Sequence, residues 1–260
     1  MKMGRLEIVK IGGNVIDNPE KLESFLNDFS KLAGNKILVH GGGKEATRLS
    51  SALGIQTTQI DGRRVTDRAT LDVVTMVYAG LINKNITARL QALGCDAVGL
   101  SGADGNVIPA TLRAPEPIDY GFVGDIDSAK INTQFIRSIL NEEKTPVFCA
   151  ICHDGQGTLL NCNADTIASK LAVALSGEFD VTLTYCFEKR GVMRNIEDEN
   201  SVIACVTPES FLALKEGGIV DKGMLPKLEN ALRAVGDGVE AVRICSFSDL
   251  NRKGGTIIRQ

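Results

Sequence analysis

Ile8-Val9-Lys10-Ile11-Gly12-Gly13-Asn14 and Ile37-Leu38-Val39-His40-Gly41-Gly42-Gly43-Lys44 are two short apolar runs, each closed by glycines. Such a run of largely β-branched residues reads as a buried strand. The turn behind it carries no Cβ, so its backbone N–H groups can face an anion. After the second run the apolar positions Ala46, Leu49, Ala52 and Leu53 fall at helical spacing, which aims a helix N-terminus at the same place. Lys10, just before the first glycine pair, adds a point charge. A single glycine turn serves packing as readily as phosphate binding. Two such turns with a lysine between strand and glycine point to phosphate.

Strand and helix patterns alternate outward from these turns, the signature of a mainly parallel sheet with helices on its faces. Asn18-Pro19-Glu20 reads as a helix N-cap, a first-turn proline and an acidic first turn, with Gly34 closing the unit. A long helix is predicted from Thr66 to Gly94, with Leu71, Val74, Val77, Tyr78 and Leu81 on one face. The Gly- and Pro-rich stretch from Gly99 to Asp127 suits β-hairpins. Pro146 to Cys152 reads as one buried strand, and Ala164 to Leu175 as a helix capped by Asn163. Ser176-Gly177-Glu178 is the best junction, dividing the chain into 1–175 and 176–260. Beyond it Val181–Thr184, Val202–Val206, Val239–Cys245 and Thr256–Ile258 read as strands. Helices are expected to open at Thr207-Pro208-Glu209 and to span Gly223 to Val235.

Composition narrows the function. With 260 residues, 43% of them hydrophobic, the chain can bury a full core in one large or two smaller domains. No stretch approaches the roughly 20 apolar residues that span a bilayer, and no apolar leader precedes the first strand. A cytoplasmic protein without a membrane partner is expected. A net charge of -3, no basic block and no Trp argue against nucleic acid and leave small-molecule chemistry. Seven scattered cysteines suit a reducing compartment. Cys149-Ala150-Ile151-Cys152-His153 matches a haem-attachment pattern, yet without an export signal or a second Cys pair it reads as a buried strand using Cys.

Three charges stand where helices begin. Asp165 follows Asn161-Cys162-Asn163 in a first helical turn, where it can cap the helix or accept hydrogen bonds from lysines. Lys227, in Gly223-Met224-Leu225-Pro226-Lys227, occupies a first turn that disfavours a cation, so it either reaches solvent or meets an anion. Arg64 precedes a helix and suits a two-pronged carboxylate clamp.

In order, the segments IVKIGGN, LVHGGGKE, DGRRVTD, VGLSGADGNVI, YGFVGDI, LLNCNAD and KGMLPKLENAL resemble the acetylglutamate kinases of the amino acid kinase superfamily almost end to end. The resemblance implies a three-layer α/β/α sandwich around a mainly parallel sheet. It also implies transfer of the ATP γ-phosphoryl group to the γ-carboxylate of an N-acylated glutamate, in arginine biosynthesis. Residues 1–175 would hold the amino acid and form the dimer, and 176–260 would hold the nucleotide. By the same resemblance Lys10 and Lys227 neutralise the transferring phosphoryl group and Asp165 orients both lysines. Gly12, Gly13, Gly41 and Gly42 would supply backbone N–H donors, Gly41 and Gly42 to the substrate and Gly12 and Gly13 to phosphate, while Thr184 and Gly223 belong with the phosphate and nucleotide site. Arg64 holds the substrate α-carboxylate and Asn161 its acyl amide. Positioning and charge stabilisation are enough for such a transfer, since the carboxylate is already a nucleophile. No protein-held metal is implied, because Mg2+ travels with the ATP phosphates. Hexameric, arginine-inhibited relatives carry a helix before the first strand. Here that strand begins near Leu6, which implies a homodimer insensitive to arginine.

The chain departs from the family pattern in four places. Tyr185 to Arg190 replaces a shorter segment bearing an Asp, the Cys245–Gly255 segment is short, Cys152 stands for a glycine, and Arg63 stands for an apolar residue. Arg63 could pair a second carboxylate, which keeps an N-succinylglutamate kinase as an alternative substrate reading. A catalytically weak regulatory protein on the same fold is the alternative from another class. A dinucleotide-binding domain is excluded, because the first glycine turn lacks G-x-x-G spacing.

Overall fold

A computed structural model describes residues 2–60, 62–195, 197–198, 201–220, 224–252 and 254–260. The first apolar run is strand β1 (Arg5–Ile11), and Gly12 leads directly into the single turn α1 (Gly13–Ile16) and then α2 (Pro19–Ser30). Asn18 caps α2 by accepting from the Lys21 N–H, and Pro19 takes the first helical position, where no amide partner is needed. The second run is β2 (Asn35–His40), followed by α3 (Gly43–Ala52) and a small hairpin, β3 (Gln59–Ile60) with β4 (Arg63–Arg64).

The predicted long helix is continuous but not uniform. α4 (Arg68–Thr75) and α5 (Asn83–Ala92) are joined by a π-helical segment, Met76–Ile82. Extra residues in a helical turn shift every later side chain around the axis, and such segments recur beside functional sites. Here Tyr78 and Ile82 are buried while Met76 and Leu81 face outward.

After β5 (Ala97–Leu100), the Gly- and Pro-rich stretch forms one hairpin, β6 (Ala110–Leu112) with β7 (Gly124–Ile126). α6 (Thr133–Asn141) leads to β8 (Thr145–Cys149). The expected single strand from Pro146 to Cys152 breaks at Ala150. The chain leaves the main sheet there, and β9 (Ile151–His153) pairs antiparallel with β10 (Leu159–Asn161). α7 (Ala164–Leu175), capped by Asn163, then feeds β11 (Asp180–Phe187). β12 (Cys205–Val206), α8 (Pro208–Glu216), α9 (Leu225–Gly236), β13 (Ala241–Ser246) and β14 (Thr256–Ile258) complete the chain. The strand expected from Val202 is shorter than predicted, with Val202 making only an isolated bridge to Met193.

The main sheet runs β12-β14-β13-β11-β1-β2-β8-β5 and is parallel except where β14 meets β13. Side chains of registered residues in a parallel pair share a face. Lys10 and Tyr185 therefore lie on the face that α7 covers. Glu7, Lys36 and His40 share the opposite face, where Lys36 donates to the carbonyls of Ser30 and Leu32 and His40 meets Asn83 of α5. Helices on both faces make three layers. β1 sits centrally, with β2 on one side and β11 on the other. Because β1, β2 and β11 are parallel, all three end at one edge, and a crevice opens there between β1, which the chain leaves toward β2, and β11, from which it runs on toward the β13 side. Among the described residues no helix is long and apolar enough to cross a membrane.

Candidate active site

Two adjoining clefts occupy that crevice. The first is bordered by Lys10, Gly41, Arg64, Tyr78, Asn161 and Asp165. The second is bordered by Asn14, Lys44, Phe187, Glu188, Met224 and Lys227. Gly12, Gly13, Gly43 and Gln59 border both, so the clefts meet over the two glycine turns.

Backbone geometry explains the glycines. A Cβ on Gly42 would stand 2.2 Å from Ile82 Cδ1 and 3.1 Å from Tyr78 Cδ1, so the turn can approach the π-helical segment only as glycine. The turn is also held from behind. Buried His40 donates from Nδ1 to the Gly41 carbonyl at 2.8 Å, and its Nε2 accepts from Asn83 Nδ2 at 3.0 Å. The same Asn83 amide donates to the Val147 carbonyl at 2.9 Å. Burial lowers the His40 pKa to about 4, so the ring is neutral and keeps this tautomer.

Lys10 Nζ meets Asp165 Oδ1 at 2.7 Å, an ion pair between the end of β1 and the first turn of α7. The Tyr185 hydroxyl donates to the Asp165 carbonyl at 3.2 Å, which fixes the start of α7 against β11. Lys227 lies across the Phe187 ring, its Nζ 4.1 Å from the centroid, and Lys10 Nζ is 5.7 Å from the same centroid. The two lysines predicted to share a phosphoryl group thus both lie beside one aromatic ring. The α7 N-terminus and the glycine N–H groups add positive potential at the junction.

Arg64 is 7% exposed. Its Nη2 donates to the Gly43 carbonyl and to Thr47 Oγ1, both at 2.8 Å. Its buried Nη1 has no hydrogen-bond partner among the described residues. A buried guanidinium N–H without a partner costs roughly 1–3 kcal/mol or more, which an anionic ligand group in the cleft would recover. Asn161 Nδ2 donates to Thr66 Oγ1 at 3.0 Å, and that hydroxyl donates to the Arg64 carbonyl at 2.9 Å, linking β10 to the arginine. Arg63, half-buried, borders the same cleft.

Lys10, Gly12, Gly13, Gly41, Gly42, Arg64, Asn161, Asp165 and Lys227 all reach the crevice. Thr184 does not. It is fully buried in the middle of the sheet, on the face away from α7, and its hydroxyl donates to Glu7 Oε1 at 2.8 Å. Gly223 lies outside the described residues. The Cys-x-x-Cys-His pattern is a structural stretch: Cys149 and Cys152 are buried in β8 and β9, and burial raises the Cys149 thiol to about 12. The sequence reading missed Phe187 and the site role of Tyr78. The signal for Phe187 was its place in the segment that departs from the family, one residue past the end of a buried run.

The amino acid kinase family is matched over residues 5–246. The chain is 53% identical over 249 residues to an acetylglutamate kinase of Cytophaga hutchinsonii, covering 95% of this chain and 94% of that one. It is 49% identical over 256 residues to an acetylglutamate kinase of Phocaeicola vulgatus, covering 98% and 99%. Among solved structures it is similar to carbamate kinase from Giardia lamblia bound to AMP-PNP, with a TM-score of 0.68 and 16% identity over the whole of both chains. It is also similar to N-acetylglutamate synthase from Neisseria gonorrhoeae, with a TM-score of 0.81 and 23% identity over 98% of this chain and 59% of that one. At such identities these two likenesses speak to the fold.

Proposed function

Because the chain belongs to the amino acid kinase family, and within it to the acetylglutamate kinases, we propose that the two clefts divide one phosphoryl transfer between them. The enzyme moves the γ-phosphoryl group of ATP to the γ-carboxylate of N-acetyl-L-glutamate, forming an acyl phosphate in arginine biosynthesis. The first cleft takes the amino acid. Arg64 Nη1 pairs with its α-carboxylate, Asn161 meets the acyl amide, and the Gly41–Gly42 turn faces the γ-carboxylate. The second cleft takes ATP, with its phosphates over Gly12 and Gly13. On this reading the substrate half is 1–175 and the nucleotide half follows it.

The observation that carries this division is the arrangement where the clefts meet: Lys10, paired to Asp165, and Lys227 both converge on the Phe187 ring, their ammonium groups 5.7 Å and 4.1 Å from its centroid. Charge on the transferring group is spread over its equatorial oxygens, and fixed cations on two sides stabilise it without moving. The substrate carboxylate attacks phosphorus, the bond to the ADP oxygen breaks, and no proton is removed. Asp165 is engaged with Lys10, so the junction suits phosphate oxygens more than a resident cation. Magnesium would enter on the nucleotide phosphates and lessen their charge. We place the protein in the cytoplasm as a homodimer. Supporting the dimer, Met76 and Leu81 are about half exposed on the π-helical segment, large apolar side chains that a two-fold mate can cover.

The test is hydroxylamine trapping of the acyl phosphate with ATP and N-acetyl-L-glutamate, N-succinyl-L-glutamate or L-glutamate. The hydroxamate is expected with the acetyl substrate. A higher kcat/KM for the succinyl compound would move the assignment to that acyl group, and no hydroxamate with any of them would overturn it.

A further inference from the structure

Lys44 follows the second glycine turn in the first turn of α3, a position where the helix dipole disfavours a cation. Its side chain is 68% exposed and borders the second cleft. The ammonium donates to Asn14 Oδ1 and stands 4.0 Å from Asp17 Oδ2. Asn14 Nδ2 in turn donates to Glu188 Oε2 at 3.0 Å, and Glu188 Oε1 accepts from Lys21 Nζ at 2.6 Å. Lys44, Asn14, Glu188 and Lys21 therefore form a polar chain from α3 through α1 to the end of β11 and α2. Three of the four, Lys44, Asn14 and Glu188, border the cleft that also holds Gly12, Gly13 and Lys227. The hydrogen bond from Lys21, aided by the Lys44 charge, holds the Glu188 carboxyl below its usual range, so the carboxylate is ionised.

We infer that Lys44 is a further cation for the nucleotide polyphosphate, held toward the cleft by Asn14, and that Glu188 is the internal counter-ion the polyphosphate replaces. The inference rests on the kinase reading above. Glu188 is paired at 2.6 Å with Lys21 while both side chains stay open to solvent, and water screens such an exposed pair, so the carboxylate is weakly held. A polyphosphate brings several negative charges to the same cations and displaces it. Lys44 comes one residue after Gly43, which borders both clefts, so its reach is toward phosphate and not toward the buried Arg64 side of the amino acid cleft.

The experiment is titration calorimetry with AMP-PNP and magnesium, alongside steady-state kinetics. Lys44→Met is expected to weaken AMP-PNP binding and raise the KM for ATP roughly five- to tenfold, with the KM for the amino acid within twofold of wild type. Lys44→Arg should recover most of the loss. Glu188→Gln should shift nucleotide affinity the opposite way, tightening it about threefold. The salt dependence of binding should be shallower in Lys44→Met. Wild-type affinity in Lys44→Met, or an equal loss for both substrates, overturns the role of Lys44. Weakened binding in Glu188→Gln overturns the counter-ion role. If the wild-type protein binds no AMP-PNP, the kinase reading itself fails.

Discussion

At the scale of the residue, the proposed transfer divides the site into groups that would act on developing charge and groups that would hold the ground state. Lys10→Ala and Lys227→Ala are each expected to lower kcat by roughly 10² to 10³ with small changes in the amino acid KM, as for any positioned donor aimed at transition-state charge. Near-normal kcat in both would remove them from the transfer step. Arg64→Ala should act chiefly on the amino acid KM, because a carboxylate clamp is used equally in ground and transition states. His40 gives a pH-dependent stability. Its pKa falls from 6.5 to about 4 on folding, so the unfolded chain binds more protons between those values. The stability gained by keeping the ring neutral is complete above pH 6.5 and is lost as pH falls toward 4, up to roughly 3 kcal/mol. Urea midpoints at pH 7.5 and pH 5 should diverge in wild type and converge in His40→Gln. Lys10, Asp165 and Arg64 were legible in sequence because each adjoins a strand end or a helix start, whereas Asn161 was assigned through the family resemblance. Phe187, Tyr78 and the partners of His40 were not, because strand parity and a helix defect decide where they point.

At the scale of the element, the crevice depends on a close approach between a strand–helix turn and an irregular helix. Gly42→Ala places a methyl group against Ile82 and Tyr78, both packed in the core, where neither side chain can swing into solvent. The expected cost is about 1–3 kcal/mol from overpacking, together with weakened binding of both substrates as the turn shifts. Chemical denaturation and the two KM values check this, and a variant as stable and active as wild type would show that the turn relaxes freely. The strands and helices built on strong periodicity were readable in advance: β1, β2, β11, α2 and α7 lie close to where the sequence predicts them, with Asn18 and Asn163 acting as caps. The break between β8 and β9 was not. An apolar run carries no local mark of the residue at which it leaves one sheet for another, and that choice is made by pairing with β10. The π-helical segment is hidden for a similar reason, since its residues keep ordinary helical chemistry.

At the scale of the whole molecule, one eight-stranded sheet carries both clefts, and its central strand supplies the lysine and glycines at their boundary. The cleft proposed for the amino acid draws on the sequence up to Asp165, and the cleft proposed for the nucleotide on β11 and α9 together with the same glycine turns. The dimer proposed above follows from what this arrangement leaves uncovered. Burying Tyr78 and Ile82 turns one side of the α4–α5 unit inward and leaves Met76 and Leu81 outward, 54% and 49% exposed. Large apolar side chains gathered on one surface are costly in water and self-complementary across a two-fold axis. Met76→Asp combined with Leu81→Asp should therefore convert the proposed homodimer to a monomer in multi-angle light scattering. The variant should keep its far-ultraviolet circular dichroism, because neither side chain contributes to the core. Activity should fall less than in the lysine variants, since no residue of the crevice is replaced. A wild-type protein that is already monomeric at micromolar concentration, or a double variant that remains dimeric, would place the two-fold contact elsewhere or remove it.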